Sequence, residues 1–156
     1  MLTHKYYDGK TPLAMALSEK ERELVDEVYS YPKKIGESIE KFKFREAVST
    51  MIDLARLGNK YLAEQEPWKV IKDNPERVKT IIFVSLHLSS ILAVVAEPFL
   101  PFTSQKIKNI LNYKNHNIDW SWKNLKQKQF IVSFLPKRGG RNAERNFHLL
   151  NVLSRN

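Results

Sequence analysis

The 156-residue chain contains no cysteine, which excludes a disulfide framework and any cysteine-ligated zinc. It has only 5 glycines, too few for glycine-rich loops to be a recurring device. A lone Gly9-Lys10-Thr11 fits the end of a phosphate-binding loop, but the glycine needed five residues earlier is His4 and no strand precedes it. No serine or threonine sits in a nucleophile-elbow pattern, and the four histidines, His4, His87, His116 and His148, are too scattered for a local metal motif. Period-two alternation, the mark of a half-buried strand, is missing before residue 113. The N-terminus, Met1-Leu2-Thr3-His4-Lys5-Tyr6-Tyr7, lacks the apolar core of a signal peptide, so a cytoplasmic protein is expected. The longest apolar stretch, Ile81 to Ala96, is shorter than the ~20 residues of a bilayer span. Ser85, His87, Ser89 and Ser90 also interrupt it, so a buried core helix and no membrane partner are expected.

What is present is helical patterning. Ser18 with Glu21 three residues on is a capping box, opening a helix over about 19–30 whose apolar face is Leu24, Val25 and Val28. Pro32 is expected to break or bend this helix, because proline lacks the N–H donor, and a second piece follows over about 33–42. Phe44, Ala47, Val48, Met51, Ile52, Ala55, Tyr61 and Leu62 mark one apolar stripe running to about Gln65, where Glu66-Pro67 ends it. Asn74-Pro75 begins another helix, apolar almost all round, as befits the central member of a bundle. Pro98 and Pro101 form an elbow, and Thr103 or Ser104 is expected to cap a short helix to about Asn112. The expectation is an all-α antiparallel helix bundle over 1–112. The cluster Glu19, Glu21, Glu23, Asp26 and Glu27 reads as its solvated face.

The formal charge is +9, unevenly placed. Residues 1–112 carry 17 Lys+Arg against 15 Asp+Glu, and residues 113–156 carry 9 against 2. The second region is a basic C-terminal extension suited to a polyanionic partner, while the bundle is close to neutral. A role in binding must therefore come from particular residues.

One segment supplies them. A long helix ends at Glu66-Pro67, and Trp68 follows at once, flanked by Lys69 and, one turn on, Lys72. An aromatic ring held at a helix end beside cations is a stacking platform for an unpaired base, the usual way single-stranded RNA loops are read. The competing reading is that Trp68 plugs the end of the core. Tyr61, two turns back, reads as a core residue.

The run Asn59-x-Tyr61 followed by Pro67-Trp68-Lys69 resembles the anticodon segment of methionyl-tRNA synthetases. Lys5-Tyr6-Tyr7-Asp8-Gly9, Phe42-Lys43-Phe44-Arg45-Glu46-Ala47, Leu57-Gly58-Asn59-Lys60-Tyr61 and Pro98-Phe99-Leu100-Pro101-Phe102 occur in that family in the same order. The resemblance implies the helical bundle of a class I aminoacyl-tRNA synthetase, recognising the CAU anticodon of methionine tRNA. It gives Trp68 the stacking role and Pro67 the task of setting its position. Lys69, Lys72, Asn59 and Arg56 are candidates for RNA contacts on general grounds.

It also implies that no catalytic residue and no cofactor belong to this segment. ATP and methionine would bind a separate catalytic domain, which is an expected partner alongside the tRNA. The family places an asparagine and an arginine upstream of Leu2 that take part in recognition, so the chain reads as a piece of a longer synthetase. From about Lys123 onward the sequence departs from the family pattern. A helical protein–protein scaffold, or the anticodon domain of another class I synthetase, are the alternatives, and Glu66-Pro67-Trp68-Lys69 favours methionine.

Overall fold

Ser18 opens the first of the helices whose full span is described in the computed structural model, which describes Tyr7 and residues 17–111. The capping box is complete. The Ser18 hydroxyl accepts from the Glu21 N–H, and the Glu21 carboxylate accepts from the Ser18 N–H at 2.9 Å. From there α1 runs over Glu19–Glu40. It passes through Pro32 as one continuous helix, contrary to the break and separate second helix expected there. The forfeited hydrogen bond is offset by packing: Val25, Val28, Tyr31, Pro32 and Ile35 are all buried along this face.

Helix α2 spans Phe44–Gln65, as its sequence period requires. Its buried residues are Ala47, Met51, Leu54 and Tyr61, with Val48, Leu57 and Leu62 packed beside them. Phe44 and Ile52, placed in the stripe by the sequence, are instead exposed. Leu54 is buried in their place because the helix turns about 100° per residue and the contacting face is narrower than the apolar one.

A single turn, α3 (Pro67–Val70), leads to α4 (Pro75–Val95), capped by the Asn74 side chain, which accepts from the Arg77 N–H at 3.0 Å. Ile81, Val84, Leu88, Ile91 and Val95, spaced three and four apart, join α1 and α2 in one core. By length and composition α4 is apolar enough to cross a membrane, yet 67% of its apolar window is buried within the bundle. The serines are accommodated within the helix: Ser85, Ser89 and Ser90 each donate to the carbonyl four residues back, at 2.7–2.9 Å.

His87 is 2% exposed, and its Nδ1 donates to the Phe83 carbonyl at 3.0 Å. Its buried Nε2 has no hydrogen-bond partner among the described residues.

Helix α5 covers Pro101–Ile110 and packs on α4. Neither Thr103 nor Ser104 caps it. Leu100 holds the N-cap position without a side-chain bond, and the buried Ser104 hydroxyl donates to the Ala93 carbonyl on α4 at 2.6 Å. Lys108 is buried against Glu97 at 2.9 Å.

The described residues form an all-helical bundle in which α1, α2 and α4 pack against one another. At one end the start of α1, the end of α2 and the start of α4 meet, through Glu21, Tyr61 and Arg77. The other end carries the turn between α1 and α2 and the turn after α4, where Phe42, Phe44, Leu100 and Phe102 are exposed. The carboxylate cluster on α1 is mostly solvated, as expected of it, except that Glu21 is 2% exposed and belongs to the interior.

Candidate RNA interface

Trp68 owes its place to three consecutive backbone decisions. Helix α2 stops because Glu66 adopts φ 40° and ψ 55°, a left-handed conformation unusual for a residue with a side chain. Its N–H still bonds the Leu62 carbonyl at 3.1 Å, so the chain turns away only after α2 is satisfied. Pro67 then begins α3, where its missing N–H costs nothing, and its ring is fully buried. With that ring as anchor, the next side chain faces outward: Trp68 is 49% exposed. An indole half in and half out of the protein offers a face to a ligand while its packed part restrains it.

The flanking carboxylates and cations organise the same turn. Lys69 pairs with Glu66 at 2.7 Å, a largely solvated contact spanning the left-handed residue. Exposed pairs of this kind contribute little to stability and exchange readily for another anion. Lys72 and Asn59 are exposed. Arg56 is exposed as well and pairs with Asp53 at 3.1 Å. Arg56 and Asn59 are one turn apart on α2, while Pro67, Trp68 and Lys69 lie in α3 and Lys72 just beyond it.

At the same end of the bundle lies a polar cluster built on Glu21, which the sequence placed on the solvated face, and on Tyr61, which it placed in the core. The Glu21 carboxylate accepts from the Tyr61 hydroxyl at 2.8 Å, from Arg77 at 2.8 Å, and from the Ser18 N–H and hydroxyl at 2.9 and 2.8 Å. Burial alone would raise its carboxyl, but the Ser18 N–H, Arg77, the Ser18 hydroxyl and Tyr61 together hold it below the ordinary range. Tyr61 is pushed far up, first by burial and then by the Glu21 carboxylate it bonds. Arg77 also donates to the Gln65 side chain at 2.7 Å. A cleft of about 240 Å³ opens beside this cluster, lined among others by Leu24, Lys60, Tyr61, Gln65 and Arg77. The capping-box pattern pointed to Glu21. Nothing in the spacing of Gln65 and Arg77 signals that they meet, since the contact spans two helices.

Among the described residues no group of three His, Asp or Glu side chains gathers as a metal site. His4, His116 and His148 lie outside the described residues, as do Trp120, Trp122 and the basic extension.

The family model for the anticodon binding domain of methionyl tRNA ligase matches residues 11–141. The chain belongs to that family. The match continues past Lys123, so the departure seen there in the sequence falls partly within the matched span. Curated relatives agree. The chain is similar to the methionine–tRNA ligase of Christiangramia forsetii, 50% identical over 119 residues, which is 76% of this chain and 17% of that protein. The methionine–tRNA ligase of Flavobacterium johnsoniae is 52% identical over 112 residues, 72% of this chain and 16% of the relative. That of Cytophaga hutchinsonii is 52% identical over 114 residues, 73% and 16% respectively. The chain thus spans about one sixth of the length of these relatives. An anticodon-binding domain of a tRNA ligase is an RNA-recognition module.

Proposed function

We propose that this chain recognises the CAU anticodon of methionine tRNA, with Trp68 stacking on an unpaired anticodon base. The observation carrying this reading is the half-exposed indole at a bundle end, set outward by a left-handed Glu66 and a buried Pro67. Stacking requires a flat apolar face open to solvent and fixed in direction, and this segment provides both. Lys69 and Lys72 neutralise phosphates beside the stacked base, and Arg56 and Asn59 extend the contact along α2. The module contributes recognition. Activation of methionine with ATP and its transfer to tRNA fall to a catalytic domain outside the matched segment, and no metal or cofactor takes part in the contact. This assigns the chain to translation in the cytoplasm.

The test is a titration of the chain, carrying Trp120→Phe and Trp122→Phe, with an RNA stem-loop displaying CAU at low salt. The fluorescence of Trp68, then the single indole, should be quenched as the base stacks on it. Trp68→Ala, followed by a label on the RNA, should weaken binding about 10- to 100-fold, the equivalent of one stacked base. Changing the first anticodon base should weaken it as well. Binding that ignores both changes and collapses with added salt would assign the RNA to basic side chains alone and defeat the stacking reading.

A further inference from the structure

The segment carrying Trp68 leaves the bundle after Gln65 and returns at Asn74. The Glu66 N–H bonds the Leu62 carbonyl at 3.1 Å, and the Asn74 carbonyl accepts from Val78 at 3.4 Å. Apart from these, its backbone bonds are internal to it: Lys69 and Val70 donate to the Glu66 carbonyl, Ile71 to that of Pro67, and Asp73 and Asn74 to that of Val70, at 2.8–3.2 Å. Such bonds stiffen the segment but do not attach it to the helices. The side-chain attachments at its two ends converge on one residue. The Asn74 side chain, at the returning end, accepts from the backbone N–H of Arg77 at 3.0 Å. The Gln65 side chain, at the departing end, accepts from the guanidinium of Arg77 at 2.7 Å. That guanidinium has its direction set from a third side by Glu21 at 2.8 Å, and Glu21 is itself held by Ser18 and Tyr61.

We infer that Arg77 and Gln65 form a clasp across the base of this segment that fixes the stance of Trp68, making Arg77 a positioning residue for RNA recognition. The inference rests on the stacking reading above and adds to it the part of the protein that orients the platform. The planar fork of the guanidinium suits it to the task, since one nitrogen holds Glu21 while the other holds Gln65, an arrangement lysine could not reproduce. A platform held in one direction loses little freedom when a base stacks on it. A loosened one must be ordered at the moment of binding, and affinity falls although no contact with RNA is removed.

Gln65→Met is the informative variant, because it opens the clasp while leaving the buried Glu21–Arg77 pair intact. In the Trp120→Phe, Trp122→Phe background, the anisotropy of Trp68 in the free protein should fall. Affinity for the CAU stem-loop should drop about three- to tenfold, and the preference over a stem-loop with a changed first anticodon base should shrink. The melting temperature should stay close to that of the parent, which separates positioning from a general loss of structure. Gln65→Glu, offering Arg77 a carboxylate, should restore the anisotropy in the free protein. If Trp68→Ala weakens binding while Gln65→Met changes neither anisotropy nor affinity, the clasp is wrong and stacking stands. If Trp68→Ala itself has no effect, the stacking reading fails and takes the clasp with it.

Discussion

Replacing Arg77 with methionine is expected to destabilise the fold by about 3 kcal/mol at neutral pH, read from the urea midpoint at unchanged slope. Methionine fills much of the same volume, so the cost is chiefly electrostatic. Glu21 is 2% exposed and would keep its charge with neutral donors only, from Ser18 and Tyr61. Removing one partner of a buried pair costs about 3–5 kcal/mol. The lower end applies here because three neutral hydrogen bonds to the carboxylate survive, and because the Arg77 side chain is 32% exposed, so water partly replaces it. Adding Glu21→Gln to Arg77→Met should recover most of the loss, since the stranded charge goes with it. A double variant as unstable as the single one would show that the charge is not the cause.

The same pair contributes to the response to strong acid. The Glu21 carboxyl lies below its ordinary value of 4.5 in the folded chain, so its contribution is complete above that value and is lost as pH falls through the folded one. In Arg77→Met, where the buried carboxylate has lost its cation, that contribution shrinks, so stability should fall less steeply below pH 4.5 than in the parent.

Mild acid should weaken the protein earlier, through His87. Burial drives its pKa from 6.5 down to about 4, against a smaller opposing effect of the Phe83 carbonyl. Between those two values the unfolded chain binds a proton that the folded chain refuses, so stability is full above pH 6.5 and declines as pH falls towards 4. At 1.36 kcal/mol per unit, the loss is about 2 kcal/mol by pH 5 and about 3 kcal/mol by pH 4. His87→Met should flatten urea midpoints between pH 7 and pH 5, leaving Glu21 to act below that window. A parent-like slope in this variant would place the acid sensitivity elsewhere. The geometry also predicts little cost at neutral pH, since the imidazole makes one hydrogen bond to a carbonyl of its own helix and leaves Nε2 unpartnered among the described residues.

Local chemistry made much of this fold legible. Ser18 with Glu21, Asn74 with Pro75, and the change at Glu66-Pro67 are short-range signals, and each coincides with a helix boundary. Where the sequence misled, a tertiary contact overruled a local rule. Pro32 lies inside a helix because its face is buried. Ser104, a good cap by type, turns to a carbonyl on α4 instead. Glu21 was legible as half of a capping box but not as an interior charge, since Tyr61 and Arg77 lie 40 and 56 positions further along the chain. At the candidate site, Pro67-Trp68 stands out in the sequence as a rigid step followed by an aromatic. The left-handed Glu66 that directs the step does not, because glycine is the residue normally found in that conformation.

The three principal helices contain 22, 22 and 21 residues. At 1.5 Å per residue each is about 32 Å long, so the protein is a ruler of nearly fixed length. Trp68 stands at one mark, and Phe42 and Phe102 stand beyond the other. Both ends of α2 are set by left-handed residues that carry side chains, Phe42 with φ 59° shortly before it and Glu66 just after. One residue inserted into α2 would lengthen it by about 1.5 Å and rotate everything beyond by about 100°. Such a change would turn the indole away from its present bearing before it altered the separation noticeably. In this architecture, angular register is the more tightly held quantity.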